Sequence, residues 1–335
     1  MFNSRNVPNS SCLHKSKSSW VAIENTNGGF ARDVVVVSPS FPSTKNKISC
    51  CDFFVQIPSK FYNSSMKSSP VTMVSVEVND QKLESMTMYV EKGGKCKFVN
   101  ACKESPYRPS TSVLEQLLHQ KRSDKFHSET DNRIRYIIPS KNFVIQSQIY
   151  FWSSCDSIIV CDIDGTITKS NIKGFLDFSH VHRGVCRFFS EVFNTFKSII
   201  SSKSSESRSS NYPGYEFAEI RIIYLTARPM TLHKITRKFL SGLSQSTKRG
   251  DTESKFSLPA GPIFVQEGNI QDSIYSELFE KNVHDLKHQM LESQVMNPFV
   301  KAGRPMVRSS IETTKISAMA FHTLIQLIFM ISRFL

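Results

Sequence analysis

The chain has 335 residues, 39% of them hydrophobic and 21% charged, with a formal net charge of +13. That length accommodates one large or two modest domains, and so basic a balance favours an anionic partner, lipid headgroup or nucleic acid. The basic residues are scattered rather than gathered on one recognition helix, which argues against direct nucleic-acid binding, and eight cysteines without a CxxC pair argue against a structural zinc site.

Residues 1–70 are crowded with Ser, Asn and Lys, and this composition predicts a largely disordered segment. Two β-prone runs, 34–37 and 51–57, are interrupted by Ser, Asn and Pro. The first twelve residues, MFNSRNVPNSSC, lack the continuous apolar stretch of a signal peptide. From Val71 the pattern changes. VTMVSVEV alternates with period two, ESMTMYV at 84–90 is a second strand, and Gly93-Gly94 marks a turn. The segment 111–121 puts Val113, Leu114, Leu117 and Leu118 on one helical face, and 133–138 and 143–151 are again strands. Residues 71–151 are therefore expected to form a small, mostly β, sandwich-like module.

An α/β pattern follows over 152–300. The apolar run 157–161 predicts a buried strand, flanked by Cys155 and Cys161 as free core thiols, which suits a reducing compartment. It stops at Asp162-Ile163-Asp164-Gly165-Thr166. Two carboxylates at the carboxyl end of a parallel strand stand where α/β sheets place their chemistry; Gly165 permits a sharp turn, and Thr166 can hydrogen-bond an anion or brace the loop. Residues 185–196 predict a helix whose aromatic spacing is that of core packing, and the Ser-rich stretch 201–211 predicts a flexible insert. Strand 219–225 ends in Thr226-Ala227-Arg228-Pro229, followed by helix 231–240, a polar loop at 244–257, a short strand at 263–265 and a helical stretch at 273–293. The repeated strand–helix order suits a Rossmann-like parallel sheet with flanking helices. The last eighteen residues, 318–335, are strongly apolar and close to the shortest length that spans a bilayer; an interfacial, docked or spanning segment all fit.

The string DIDGT resembles the nucleophile motif DxDGT of the haloacid-dehalogenase (HAD) phosphotransferases. The longer string 149–171, IYFWSSCDSIIVCDIDGTITKSN, resembles the lipin family, the magnesium-dependent phosphatidate phosphatases. Three further segments extend the resemblance: YLTARPMTLHKITRKFL (224–240), LPAGPIFV (258–265) and, more loosely, 274–291. It implies a HAD-type fold with an LNS2-type catalytic domain, preceded by the β module. It also implies conversion of phosphatidate to diacylglycerol through an aspartyl-phosphate. Asp162 would be the nucleophile, and Asp164 the acid that protonates the leaving alkoxide and then activates water. Mg2+ would be held by Asp162 and the backbone carbonyl of Asp164. Thr226 matches the second motif and would hydrogen-bond phosphate, or cap the following helix. Arg228 would bind phosphate or brace the loop. Lys287 would neutralise the phosphate, with Lys281 as the alternative, and His182 is a structural candidate. The family follows its lysine with an NPFxAGFGNRxxD-type segment whose acid completes the magnesium site; here Asn297-Pro298-Phe299 is followed by VKAGRPMVRSSIETT, with Glu312 the next carboxylate. Three functions therefore stay open: a phosphatidate phosphatase, a related module that binds phosphatidate without turnover, and a HAD-type phosphatase with another substrate. The expected setting is cytoplasmic or nuclear, peripheral at an anionic membrane of the endoplasmic reticulum or nuclear envelope.

Overall fold

The computed structural model describes residues 28–40, 46–62, 71–120, 132–169, 180–206, 219–249, 252–266, 280–304 and 327–329. Two sheets dominate. The larger has seven strands in the order Ser49–Cys50, Val34–Ser38, Phe143–Ser153, Arg133–Ile138, Met73–Val78, Gln81–Val90 and Cys96–Phe98. Several of its strands alternate buried and half-buried positions, as in the central Arg133–Ile138, because one face is more fully covered than the other. Met73–Val78 turns into Gln81–Val90 through Asn79 and Asp80, both at positive φ (50° and 65°), the geometry that matches a two-residue hairpin to strand twist.

The long strand Phe143–Ser153 joins the two halves of this sheet. Its first part pairs antiparallel with Arg133–Ile138. Its end pairs parallel with Val34–Ser38, from Ile149 opposite Val34 to Ser153 opposite Ser38. Val34 to Val37 are all buried, so the expectation of disorder across 1–70 fails for the described part of that segment. The Ser- and Pro-rich flanks dominated the composition there, while the strand takes its stability from a partner more than a hundred residues away, which local composition does not register.

The second sheet has the order Ile263–Gln266, Ile220–Pro229, Ser157–Asp162 and Leu327–Phe329. The first three strands are parallel and the fourth is antiparallel. The architecture is thus α/β, with a mixed sheet and flanking helices. In place of the open parallel Rossmann-like sheet expected, the sheet curls toward a half-barrel, with a register shift between Leu225 and Pro229. Strand period two divides its side chains between two cores. Ile158, Val160, Ile223, Leu225 and Phe264 join the core of the seven-stranded sheet. Ile159, Cys161, Ile222, Tyr224, Ile263 and Val265 pack with Val185, Cys186, Phe189 and Leu240 of the flanking helices. Burial on both faces explains why residues 157–161 read as a continuous apolar run.

Other expectations are revised. The helix Val185–Glu206 absorbs the start of the Ser-rich insert, whose remainder lies outside the described residues. The expected polar loop at 244–257 is a two-stranded ribbon, Ser244–Arg249 with Thr252–Ser257, largely open to solvent and so without an apolar alternation. Of the apolar end 318–335, only Leu327–Phe329 is described, as the antiparallel edge strand. No helix among the described residues is long and apolar enough to cross a membrane.

The segment 258–262 runs along Ile220–Pro229, with the Tyr224 amide donating to the Pro262 carbonyl at 2.9 Å and the Tyr224 hydroxyl to the Pro259 carbonyl at 2.7 Å. Glycine at 261 allows this close approach: a Cβ there would collide with the Ile222 carbonyl oxygen and lie 2.8 Å from Ile222 Cγ2. Gly261→Ala is therefore expected to cost about 1–3 kcal/mol, read as a lower urea midpoint with an unchanged slope.

Candidate functional site

Parallel pairing places Asp162 opposite Leu225, and the Ile163 amide extends the ladder to the Leu225 carbonyl at 3.0 Å. The carboxyl ends of two adjacent strands therefore bring Asp162-Ile163-Asp164 beside Thr226-Ala227-Arg228. The chain turns back at once. Gly165 adopts φ 84°, and the amides of Ile167 and Thr168 donate to the Ile163 carbonyl at 2.9 and 3.1 Å. A second layer pins the loop: the His182 amide donates to the Ile167 carbonyl, and Gln245 Nε2 donates to the His182 carbonyl. His182 and Thr166 are both buried.

The two acids do different things. Asp164 is buried and spends both oxygens on its neighbour strand. Thr226 Oγ1 donates to Oδ2 at 2.6 Å, and Arg228 donates to Oδ1 through Nε (3.1 Å) and Nη2 (2.7 Å). The Arg228 amide also donates to Thr226 Oγ1 at 3.1 Å. Thr226 and Arg228, both expected on phosphate, are fully buried and hold Asp164; for Arg228 this is the loop-bracing alternative. Such a desolvated ion pair fixes the loop rigidly, because removing either partner strands a buried charge.

Asp162 is more open. Its Oδ2 accepts from Lys287 Nζ at 2.7 Å, a contact made by a helix, Glu280–Met290, more than a hundred residues away in sequence. Its Oδ1 is buried and has no hydrogen-bond partner among the described residues. Burial pushes the Asp162 carboxyl above its ordinary range; Lys287 opposes that rise, and the neighbouring Asp164 charge adds to it. A buried carboxylate oxygen without a donor is an uncommon arrangement that a cation would satisfy.

Lys281 lies on the same helix, with its side chain outside the described residues. Asn297–Lys301 is a short helix whose Phe299 is buried against Trp152, with Arg304 over the Phe299 ring at 5.3 Å. Glu312 lies outside the described residues. Among the described residues, no group of three or more His, Cys, Asp or Glu side chains is arranged to hold a metal. A hard cation would find a donor in the unpartnered Asp162 Oδ1, and the Asp164 carbonyl would be the second group to hold it.

Sequence reasoning missed two buried polar networks behind the site. In one, Asp33 accepts from Ser147 Oγ, the Gln148 amide, the Ile263 amide and Arg237. In the other, Arg32, Asp52, Arg108 and Gln294 bond to one another. Their only sequence signal was a charged pair, Arg32-Asp33, abutting the run VVVV.

The family model described as LNS2 (Lipin/Ned1/Smp2) matches residues 121–323. This chain belongs to the LNS2 family. The LNS2 chain is 26% identical to phosphatidate phosphatase PAH1 of Arabidopsis thaliana over 152 residues, 44% of this chain and 13% of that protein. It is 26% identical to phosphatidate phosphatase LPIN3 of Homo sapiens over 164 residues, 48% of this chain and 16% of that protein. It is 23% identical to nuclear elongation and deformation protein 1 of Schizosaccharomyces pombe over 151 residues, 44% of this chain and 18% of that protein. The matched stretches are thus under a fifth of these relatives' own lengths.

Proposed function

We propose that this LNS2 chain is a magnesium-dependent phosphatidate phosphatase of HAD type, acting at an anionic membrane surface. The observation that carries the reading is the pairing of Asp162 with Lys287 beside a braced Asp164, at the carboxyl ends of adjacent parallel strands. An Asp162 carboxylate oxygen attacks phosphorus, forming the aspartyl-phosphate as the ester P–O bond breaks. Asp164 first takes up a proton from solvent, releasing part of its grip on Thr226 and Arg228, and delivers that proton to the departing alkoxide, which leaves as the diacylglycerol hydroxyl. Asp164 then takes a proton from the water that attacks phosphorus, and the Asp162–phosphate bond breaks to release phosphate. Lys287 offsets the charge gathered on the phosphoryl oxygens. Gly165 and Thr166 shape the loop, and Thr226 and Arg228 keep the Asp164 carboxylate where the proton must travel. Magnesium held at Asp162 Oδ1 and the Asp164 carbonyl would supply charge neutralisation for the phosphate.

The phosphatidate substrate is drawn from the printed names of the relatives and from the sequence resemblance, and the +13 charge supports docking on anionic lipid at the endoplasmic reticulum or nuclear envelope. One observation favours the alternative of a phosphatidate-binding module without turnover: Asp164 has both oxygens engaged, so proton transfer requires it to leave part of that grip. The test is phosphate release by purified protein from phosphatidate vesicles, against a soluble phosphate monoester, as magnesium is titrated. Release that depends on magnesium and favours phosphatidate is expected. With no group of three or more His, Cys, Asp or Glu side chains arranged for a metal among the described residues, half-saturation is expected in roughly the millimolar range, reflecting a weak site. Vesicle binding without release in any magnesium concentration would support the module, and release from the monoester alone would support another substrate.

A further inference from the structure

Lys287 reaches Asp162 from a helical run whose seating depends on contacts outside the reacting groups. Glu280–Met290 continues through a π-helical segment, Leu291–Met296, into Asn297–Lys301. A π segment resets the rotation of one helix face relative to the next, so the chain's grip on it fixes which way the preceding turns point. Gln294 supplies that grip seven residues beyond Lys287. It is buried, its Oε1 accepts from the Asp52 amide at 2.8 Å and from Arg32 Nη2 at 3.0 Å, and its Nε2 donates to Asp52 Oδ2 at 2.8 Å. Asp52 is anchored in turn by Arg108 Nε at 2.6 Å and Ser105 Oγ at 3.0 Å. Arg108 Nη2 also donates to the Ser293 carbonyl at 3.0 Å, so two consecutive residues of the π segment are held from outside the helix. Leu291 and Val295 enter the large core beside this polar clasp. Arg32 lies against the rings of Phe54 and Phe264, the latter on the α/β sheet.

We infer that Gln294 is a positioning residue for Lys287. Its clasp with Asp52 and Arg32 sets the rotation of the helix so that Nζ meets Asp162 Oδ2. Segments more than two hundred residues upstream therefore help to build the site without touching it. Only the value of this contact to turnover rests on the phosphatase reading; its geometry does not.

The test reads Lys287 directly, by mass-spectrometric measurement of lysine acylation on the folded full chain. Gln294→Glu sets a second carboxylate against Asp52 Oδ2. The swap Asp52→Asn with Gln294→Glu restores the bond with its donor reversed and the total charge of the pair unchanged. Acylation of Lys287 is expected to rise several-fold in Gln294→Glu and to return to the wild-type rate in the swap, while exposed Lys60 does not change. Gln294→Met, similar in size and without polar groups, gives the same reading should the Glu variant fail to fold. Where phosphate release is measurable, Gln294→Glu is expected to lower kcat in the wild type and to have no further effect in a Lys287→Ala background. Unchanged Lys287 acylation in the folded variants, or additive losses of kcat, overturns the proposal. Acylation that shifts as expected in a protein with no phosphatase activity upholds the positioning role and removes the phosphatase reading.

Discussion

Asp162→Asn is expected to leave a folded protein whose phosphate release falls by about 10⁴-fold or more, the scale on which removal of a nucleophile acts. Asparagine matches aspartate in shape, yet its neutral amide cannot form the acyl-phosphate bond, and it offers Lys287 no charge. Circular dichroism and a thermal melt check the fold; a discontinuous phosphate assay checks the rate. The same exchange two residues along, Asp164→Asn, is expected to behave differently. Arg228 would then sit fully buried without its carboxylate, so stability should drop by about 3–5 kcal/mol together with activity. The pH profile separates the two roles further. Asp162 attacks only when ionised, and burial raises its carboxyl above the ordinary range, so activity should fall off as pH drops through that raised value. The acid limb should move to lower pH as magnesium increases, because a cation beside Oδ1 favours the ionised form.

The local geometry of the candidate site was legible because its signals are local. A strand, two acids and a glycine turn lie within ten residues, and Thr226-Ala227-Arg228 follows its own strand in the same way. Lys287 was singled out only by the loose resemblance of 274–291 to the family's pattern, with Lys281 as the alternative. What Thr226 touches was not legible, and for Arg228 phosphate binding and loop bracing both stayed open, since a hydroxyl and a guanidinium at a strand end suit a phosphate or a neighbouring carboxylate equally well. The N-terminal strands were half legible: 34–37 and 51–57 read as β-prone runs, but not as parts of a sheet. Val34–Ser38 is short and flanked by disorder-prone composition, and it is stabilised by pairing with Ile149–Ser153 across an interval no periodicity spans. The ribbon at 244–257 carries too few buried side chains to impose an alternating pattern. The π segment at Leu291–Met296 leaves an ordinary helical sequence, because its extra residue is fixed by Gln294 and its distant partners rather than by local propensity.

Asp33→Ala is expected to be among the most destabilising single substitutions in the chain, and the reason lies in what Asp33 holds together. It sits at the start of Val34–Ser38, is fully buried, and receives donors from three directions: Ser147 and the Gln148 amide in the long strand, the Ile263 amide in the α/β sheet, and Arg237 on the helix His233–Gly242. His233 Nε2 adds a contact at 3.6 Å. Burial alone would push the carboxyl up, but Arg237, His233 and the Ile263 amide together hold it well below its ordinary value of 3.8. Alanine would leave the buried Arg237 guanidinium without its carboxylate, and the Ser147 hydroxyl and the Gln148 and Ile263 amides without this acceptor, at a cost of about 3–5 kcal/mol and a Tm lower by roughly 10 °C. Replacing Arg237 by Met in the same protein should recover part of that loss, because the stranded charge is removed with its partner; additive losses in the double variant would show that the pair is not coupled. The depressed carboxyl also fixes the sign of the pH dependence. Its contribution is complete above the unfolded value near 3.8 and is lost as pH falls through the folded one, so wild type should approach the Asp33→Ala variant in stability only in strong acid. Because this one carboxylate bonds to both sheets and to the helix that follows Arg228, its loss should loosen the N-terminal strands and the floor of the site in a single transition, visible by Trp152 fluorescence and by circular dichroism at the same denaturant concentration.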